Sequence, residues 1–251
     1  MKIFNLEGNV ALVTGGNRGL GGAMAYGLAE AGADIAIVQR SSEETEVVDR
    51  IRSLGRKCEV FSFDLADIGK IQDLVAAVIE QFGKIDILVN NAGVQKRSPS
   101  VEFSEADWDF VNDVNSKAVF FLCQQVGKHM IEQGKGKIIN LASLLSFQGG
   151  ITVPAYAASK GAVVQFTKSL SNEWASKNVN VNAVAPGYMA TDMNTALLAD
   201  ETRNRQILER IPAGRWGQPD DMVGAVIFLA SNASNYIHGE TITIDGGWMG
   251  R

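Results

Sequence analysis

Seven short runs rich in Val and Ile alternate with helical patterns from one end of the chain to the other. They are VALVT at 10–14, DIAIV at 34–38, CEVFSF at 58–63, IDILVN at 85–90, KIINLA at 137–142, NVNAVA at 180–185 and TITID at 241–245. Several are apolar at consecutive positions rather than at alternate ones. A strand of that kind has to be covered on both faces, the condition of a parallel sheet packed between helices. The segments between supply the helices: in IQDLVAAVIEQF at 71–82, residues Ile71, Leu74, Val75, Val78, Ile79 and Phe82 form one apolar stripe. Right-handed crossovers between parallel neighbours then give a doubly wound, Rossmann-type α/β fold with a seven-stranded sheet and helices on both faces. No Pro- or Ser-rich linker, repeat or low-complexity tract interrupts the 251 residues, so 1–251 is expected to be a single domain.

Charge and cysteine usage narrow the class. The net charge is −5, with acids and bases interleaved, which leaves no basic stripe for nucleic acid and no polybasic membrane segment. No apolar run reaches the roughly 18 residues of a membrane span, and MKIFNLEGNVALVTGG lacks the apolar core of a secretion signal. Cys58 and Cys123 show neither metal nor CxxC spacing and read as buried free thiols. A cytoplasmic chain without metal is expected.

Behind the first run, LVTGGNRGLGGAM at 12–24 packs five glycines where a strand should turn into a helix. The spacing Gly15-x3-Gly19-x-Gly21 is not G-x-G-x-x-G, and no Gly-Lys-Ser/Thr follows to make a Walker A loop. Small residues there let backbone approach a pyrophosphate at a helix N-terminus. They would equally serve a tight turn.

Ser143, Tyr156 and Lys160 favour the first reading. Tyr156 and Lys160, in YAASK at 156–160, stand at i and i+4 on one helix face. Ser143 lies thirteen residues upstream at the carboxyl end of KIINLAS, where open α/β sheets border their ligand crevice. A phenol of pKa about 10 is a poor acid–base catalyst at neutral pH, and an ammonium one turn away favours its ionised form. A serine hydroxyl opposite could hold a carbonyl oxygen while the phenol delivers its proton.

Together with NNAG at 90–93, Asn115 and PG at 186–187, these residues resemble the short-chain dehydrogenase/reductase superfamily, in order and over nearly the whole chain. The resemblance implies an NAD(P)-dependent oxidoreductase acting on CH–OH groups. Tyr156 would be the general acid/base, with Lys160 lowering its pKa and holding the nicotinamide ribose. Ser143 would position the substrate oxygen, and Asn115 would support a water-mediated proton path to Lys160. Implied coenzyme contacts are Gly15, Asn17, Arg18, Gly19, Leu20 and Gly21 in the glycine loop, with Arg40, Ser41, Asp64 and Leu65 after the second and third strands. Asn91, Ala92 and Gly93 would line the coenzyme from beneath. Tyr156, Lys160, Pro186, Gly187, Met189 and Thr191 would flank its nicotinamide end.

The second strand ends in Gln39-Arg40-Ser41-Ser42, with no carboxylate at its tip to hold an adenosine ribose. Arg40 and Arg18 could both meet a 2′-phosphate, so NADP(H) is the preferred coenzyme and NAD(H) a possible one. The alternative is that both arginines are solvated and pair with Glu43 or Glu44.

Residues 142–156, 185–221 and DGGWMGR at the carboxyl end resemble the branch formed by the 2-dehydro-3-deoxy-D-gluconate and 2-deoxy-D-gluconate dehydrogenases. That branch implies a sugar-acid or related polyol substrate. It is usually NAD-linked, from which the Arg18/Arg40 corner departs. For the substrate carboxylate Arg97 is the best-placed cation, with Lys96, Arg203 and Arg205 as alternatives, and Gln148 could bond a hydroxyl. The polar stretch 187–218 is too long for an idle connection and is the expected substrate lid. Apolar helix surface around 115–133 and 154–176, with an exposed Trp248 and Met249, implies a homo-oligomer, and the resemblance a tetramer. A 3-oxoacyl-thioester or general ketone reductase would carry the same residues. A non-catalytic dinucleotide-binding protein would be expected to lack Tyr156 or Lys160.

Overall fold

A computed structural model describes residues 2–251. Among them, seven strands form one sheet: β1 (Val10–Thr14), β2 (Asp34–Gln39), β3 (Cys58–Ser62), β4 (Ile87–Asn90), β5 (Gly136–Leu141), β6 (Val179–Pro186) and β7 (Thr241–Ile244). Their order is β3-β2-β1-β4-β5-β6-β7, and every neighbouring pair is parallel. All seven runs seen in the sequence are strands of this sheet.

The helices in chain order are α1 (Gly19–Glu30), α2 (Glu46–Ser53), α3 (Ile71–Phe82), α4 (Glu105–Asn112), α5 (Ala118–Gln133), α6 (Pro154–Trp174), α7 (Thr195–Ala199), α8 (Glu201–Arg210) and α9 (Val223–Ala230). The strands divide their side chains between two layers. Ala11 and Val13 of β1 and Ile35 and Ile37 of β2 pack with Met24 and Leu28 of α1 and Val226 and Leu229 of α9. Leu12, Ala36 and Val38 point the other way, toward Val75 and Val78 of α3 and Leu122 and Val126 of α5. Consecutive apolar positions are therefore each buried, on opposite faces. Only the edge strands β3 and β7 have mostly half-buried positions.

Two expectations change here. The stretch 187–218 is not an irregular loop: it carries a 3₁₀ turn (Asp192–Asn194), α7 and α8. Its polar composition reflects short helices with one apolar face, through which Ile207, Ile211 and Trp216 pack on Leu144. Trp248 is not exposed either. It is 5% accessible and joins that cluster, with Tyr188 against its ring (4.7 Å between centroids) and the Arg210 guanidinium stacked 4.0 Å away. Met249 remains exposed. Both cysteines are buried and unpaired, and burial pushes each thiol up to about 12.

Candidate active site

β1 neighbours both β2 and β4, so the connections leave its two sides in opposite directions and a crevice opens at the carboxyl ends. Thr14, the last residue of β1, accepts from the backbone N–H groups of Asn91 and Ala92, both at 3.0 Å. The Asn91 side-chain amide donates to the carbonyls of Thr14 (3.0 Å) and Gly15 (3.2 Å). The glycine loop and NNAG are thus pinned to each other at the switch point.

The glycines do different jobs. A Cβ at Gly21 would overlap the Gly15 carbonyl and the Asn91 amide, so this position serves close packing. Gly19 has φ +54°, and a Cβ there would meet nothing within 4 Å: it would project into open space at the start of α1. The crevice holds a cleft of about 530 Å³. On its wall stand Gly15, Asn17, Arg18, Gly19, Leu20, Gly21, Arg40, Ser41, Asp64, Leu65, Asn91, Ala92, Gly93, Tyr156, Lys160, Pro186 and Thr191.

Two of the expected coenzyme contacts, Gly187 and Met189, do not line this cleft. A Cβ at Gly187 would lie 2.7 Å from the Asp245 backbone, so that glycine lets the end of β6 pass β7. Met189 is 3% accessible, packs in the core beside α9, and pairs its backbone with Gly217.

The chemistry-bearing side chains converge at the far end of the cleft. Ser143 follows β5 and caps a short 3₁₀ turn, its Oγ accepting from Leu145 N–H at 3.2 Å. Ser146 Oγ donates to the Lys160 carbonyl (2.7 Å) and accepts from Ser143 N–H (3.2 Å), tying this turn to α6. Tyr156 and Lys160 lie one turn apart on α6, with Nζ of Lys160 5.8 Å from the Tyr156 ring centroid. Burial raises the Tyr156 phenol, and its hydrogen bond with Ser143 acts against that. Burial brings Lys160 down to about 8.

The sequence expectation is that Lys160 lowers the Tyr156 pKa, whereas burial, which raises it, dominates. The ammonium donates to the Leu141 carbonyl at 2.5 Å, because burial demands a full-time partner and the strand end supplies it. Asn115, expected on a water-mediated proton path to Lys160, is fully buried. It sits in a π-helical turn, Asp113–Lys117, between α4 and α5, a distortion that turns its side chain inward. Its amide holds the backbone of Val94 in both directions (2.8 Å each) and donates to Ser159 Oγ at 3.3 Å. Asn115 therefore joins the loop after NNAG to α6.

At the opposite end, Gln39 donates to the carbonyls of Ser41 (2.9 Å) and Glu43 (2.6 Å), shaping the loop that presents Arg40 and Ser41. Glu44 is taken by Arg52 at 2.7 Å, so it does not neutralise Arg40. Arg18 has a partner that the sequence reading did not consider, Asp192 at 3.0 Å.

Of the cations near the catalytic end, Lys96 pairs with Asp107 (3.1 Å) and Arg205 with Glu209 (3.7 Å). Arg97 is exposed and bonds only the neutral Gln95 at 3.3 Å, while Ser98 N–H donates to the carbonyl of Thr152, four residues before Tyr156. Arg203 is half-buried on α8. Gln148 Oε1 accepts from Trp248 Nε1 at 3.2 Å, which leaves its Nε2 donors for a ligand hydroxyl. Ser143, which meets the cleft through its hydrogen bond with Tyr156, and Asn115, Arg97 and Gln148 are not on the cleft wall. Phe63, Phe110, Asp192 and Met193 are, and the sequence reading missed them. Phe110 carried no signal, because one aromatic on an amphipathic helix reads as core.

The model of the family described as short chain dehydrogenase matches residues 9–202. A curated relative, the 2-dehydro-3-deoxy-D-gluconate 5-dehydrogenase of Dickeya dadantii, is 53% identical over 252 residues, covering 100% of this chain and 99% of its own. A solved structure from Agrobacterium tumefaciens, provisionally assigned as a 2-deoxy-D-gluconate 3-dehydrogenase with bound NADP, is 50% identical with a TM-score of 0.93, and 100% of each chain is covered. A gluconate 5-dehydrogenase from Burkholderia cenocepacia, in complex with NADP and tartrate, is 42% identical with a TM-score of 0.95, covering 99% of this chain and 98% of that one. With a seven-stranded parallel sheet, a glycine-lined crevice and Ser143, Tyr156 and Lys160 at its end, this chain belongs to the short-chain dehydrogenase family of oxidoreductases acting on CH–OH groups.

Proposed function

We propose that the protein is an NADP(H)-linked oxidoreductase of sugar acids, interconverting a secondary alcohol and a ketone on a substrate of the 2-dehydro-3-deoxy-D-gluconate type. The observation that carries this reading is the meeting of Tyr156, Ser143 and Lys160 at the end of the cleft. The relatives' names supply the substrate class.

The residues present fit a dinucleotide. The open face at Gly19 admits a phosphate to the N-terminus of α1, and Arg40 with Ser41 presents a cation and a hydroxyl at the adenine end. When bound, the nicotinamide supplies or accepts the hydride. The chain's own work is proton transfer and positioning. Ser143 holds the substrate oxygen, and Tyr156 gives that oxygen its proton in reduction or takes it in oxidation. Lys160 keeps a positive charge behind the phenol and holds the ribose hydroxyls. Asn115 positions α6 through Ser159 and fixes the loop carrying Arg97. The segment 187–218 acts as the substrate lid.

Coenzyme choice is tested at Arg40. A charge-assisted contact to a phosphate contributes about 1.5–3 kcal/mol, so Arg40→Asp should lower kcat/KM for NADPH by roughly 10- to 100-fold and spare NADH. An unchanged kcat/KM for NADPH refutes the assignment of that corner.

The substrate reading is tested by steady-state rates across sugar acids, polyols and oxoacyl thioesters, with the enzyme and with Arg97→Ala. Arg97 lacks a carboxylate partner and sits on the loop tied to Thr152, so we assign it the substrate carboxylate. Arg97→Ala should raise KM for a sugar acid by about one to two orders of magnitude and affect a neutral polyol much less. Equal changes for both would show that Arg97 acts through loop structure. Activity confined to oxoacyl thioesters would replace the sugar-acid reading.

A cytoplasmic homotetramer completes the proposal. Among the described residues no helix is long and apolar enough to cross a membrane. Val101 (94% accessible), Trp108 and Phe110 expose apolar surface beside and on α4, of the kind that marks an interface. Light scattering at micromolar concentration should give the mass of four 27.0 kDa chains, and a single-chain mass overturns the tetramer.

A further inference from the structure

Arg18 and Asp192 are 174 positions apart in sequence, on opposite walls of one cleft, and their side chains meet at 3.0 Å. Arg18 is the residue before α1, in extended conformation, and its side chain makes no helix cap. Asp192 opens the 3₁₀ turn that starts the lid segment after Thr191. Both side chains are more than 70% exposed, so in water the pair is held weakly and Arg18 is free to exchange partners.

A dinucleotide stretching from Arg40 and Asp64 to Tyr156 and Lys160 has to pass the glycine loop between these two anchors. Its phosphates carry more charge and more acceptor oxygens than one carboxylate, and a guanidinium prefers such a partner. The Asp192 carboxylate would then be left beside those phosphates as a like charge.

We propose that Asp192 is a coenzyme-affinity determinant: it competes with the coenzyme's phosphates for Arg18 and so weakens the binding of NADP(H). The inference rests on the coenzyme reading above and assigns a role to a residue outside the catalytic group. Arg40, on the same cleft wall, has no such competitor, since Glu44 is engaged by Arg52.

The test is a double-mutant cycle on NADPH and NADH dissociation constants, measured by titration of the whole protein with Asp192→Asn, Arg18→Gln and both together. Asp192→Asn is expected to tighten NADPH by about two- to fivefold, the effect of releasing Arg18 from an exposed ion pair. In the Arg18→Gln background the same change should have a much smaller effect, because the contested guanidinium is gone. Weaker NADPH binding by Asp192→Asn would mean that the pair clamps the coenzyme, and overturns the proposal. So does an unchanged constant, or an equal effect with and without Arg18. Failure of the coenzyme reading looks different: the unaltered protein then binds neither NADPH nor NADH, and both inferences fall.

Discussion

Tyr156→Phe should lower turnover by about 10²–10⁴-fold, the range for loss of a general acid, while NADPH affinity stays nearly unchanged. The substitution keeps the ring that lies in the cleft wall and removes one oxygen. Ser143 retains its bond from Leu145 N–H, and Lys160 retains the Leu141 carbonyl, so neither neighbour collapses into the gap. What disappears is the only phenol among the described residues on the cleft wall. Single-turnover rates with NADPH and a sugar-acid ketone, alongside coenzyme titration, separate the two quantities. Near-normal turnover would remove Tyr156 from the chemistry. A parallel loss of coenzyme affinity would make it a binding residue instead.

Lys160→Met should abolish most activity and yet stabilise the protein. Burial brings the Lys160 pKa from 10.5 to about 8, so below pH 8 the folded state bears the full cost of a buried ammonium. A shift of that size corresponds to roughly 3 kcal/mol, offset by about 1 kcal/mol for the Leu141 carbonyl that loses its donor. A net gain of about 2 kcal/mol at pH 7 amounts to roughly 4–8 °C in Tm for a chain of this size. The sign has a pH signature. Between pH 8 and 10.5 the unfolded chain binds more protons at this site than the folded one, so unaltered protein gains stability as pH rises. The advantage of Lys160→Met should therefore shrink across that window. Melting curves of both proteins from pH 7 to pH 10.5 decide it, and a variant less stable at pH 7 would show that the ammonium supports the fold.

Lys160, buried at the candidate site, shows how far residue identity and residue geometry can part. The i, i+4 spacing in YAASK correctly put Tyr156 and Lys160 on one helix face, because helical periodicity is a local property. Where the ammonium pointed was not local. The Leu141 carbonyl that captures it belongs to another strand and is available only because β5 ends beside α6.

The same division runs through the molecule. Seven strands, their parallel arrangement and a crevice at their carboxyl ends were legible in the sequence, since they follow from hydrophobic runs, crossover handedness and glycines placed after a strand, whereas the order that puts the switch at β1/β4 was not. The helical character of 187–218 was masked, because α7 and α8 are short and owe their order to Ile207, Ile211 and Trp216 packing on Leu144 and Trp248 from distant parts of the chain. Trp248 looked exposed for the same reason: its cover comes from those segments. Which charges were free and which were taken, Arg40 against Arg18, Arg97 against Lys96, depended on contacts that composition cannot carry. Local pattern determined which elements exist and which end of the sheet binds. Only tertiary packing decided which partner each buried or mobile side chain takes, because a charge or an apolar face is satisfied by whatever the fold brings beside it.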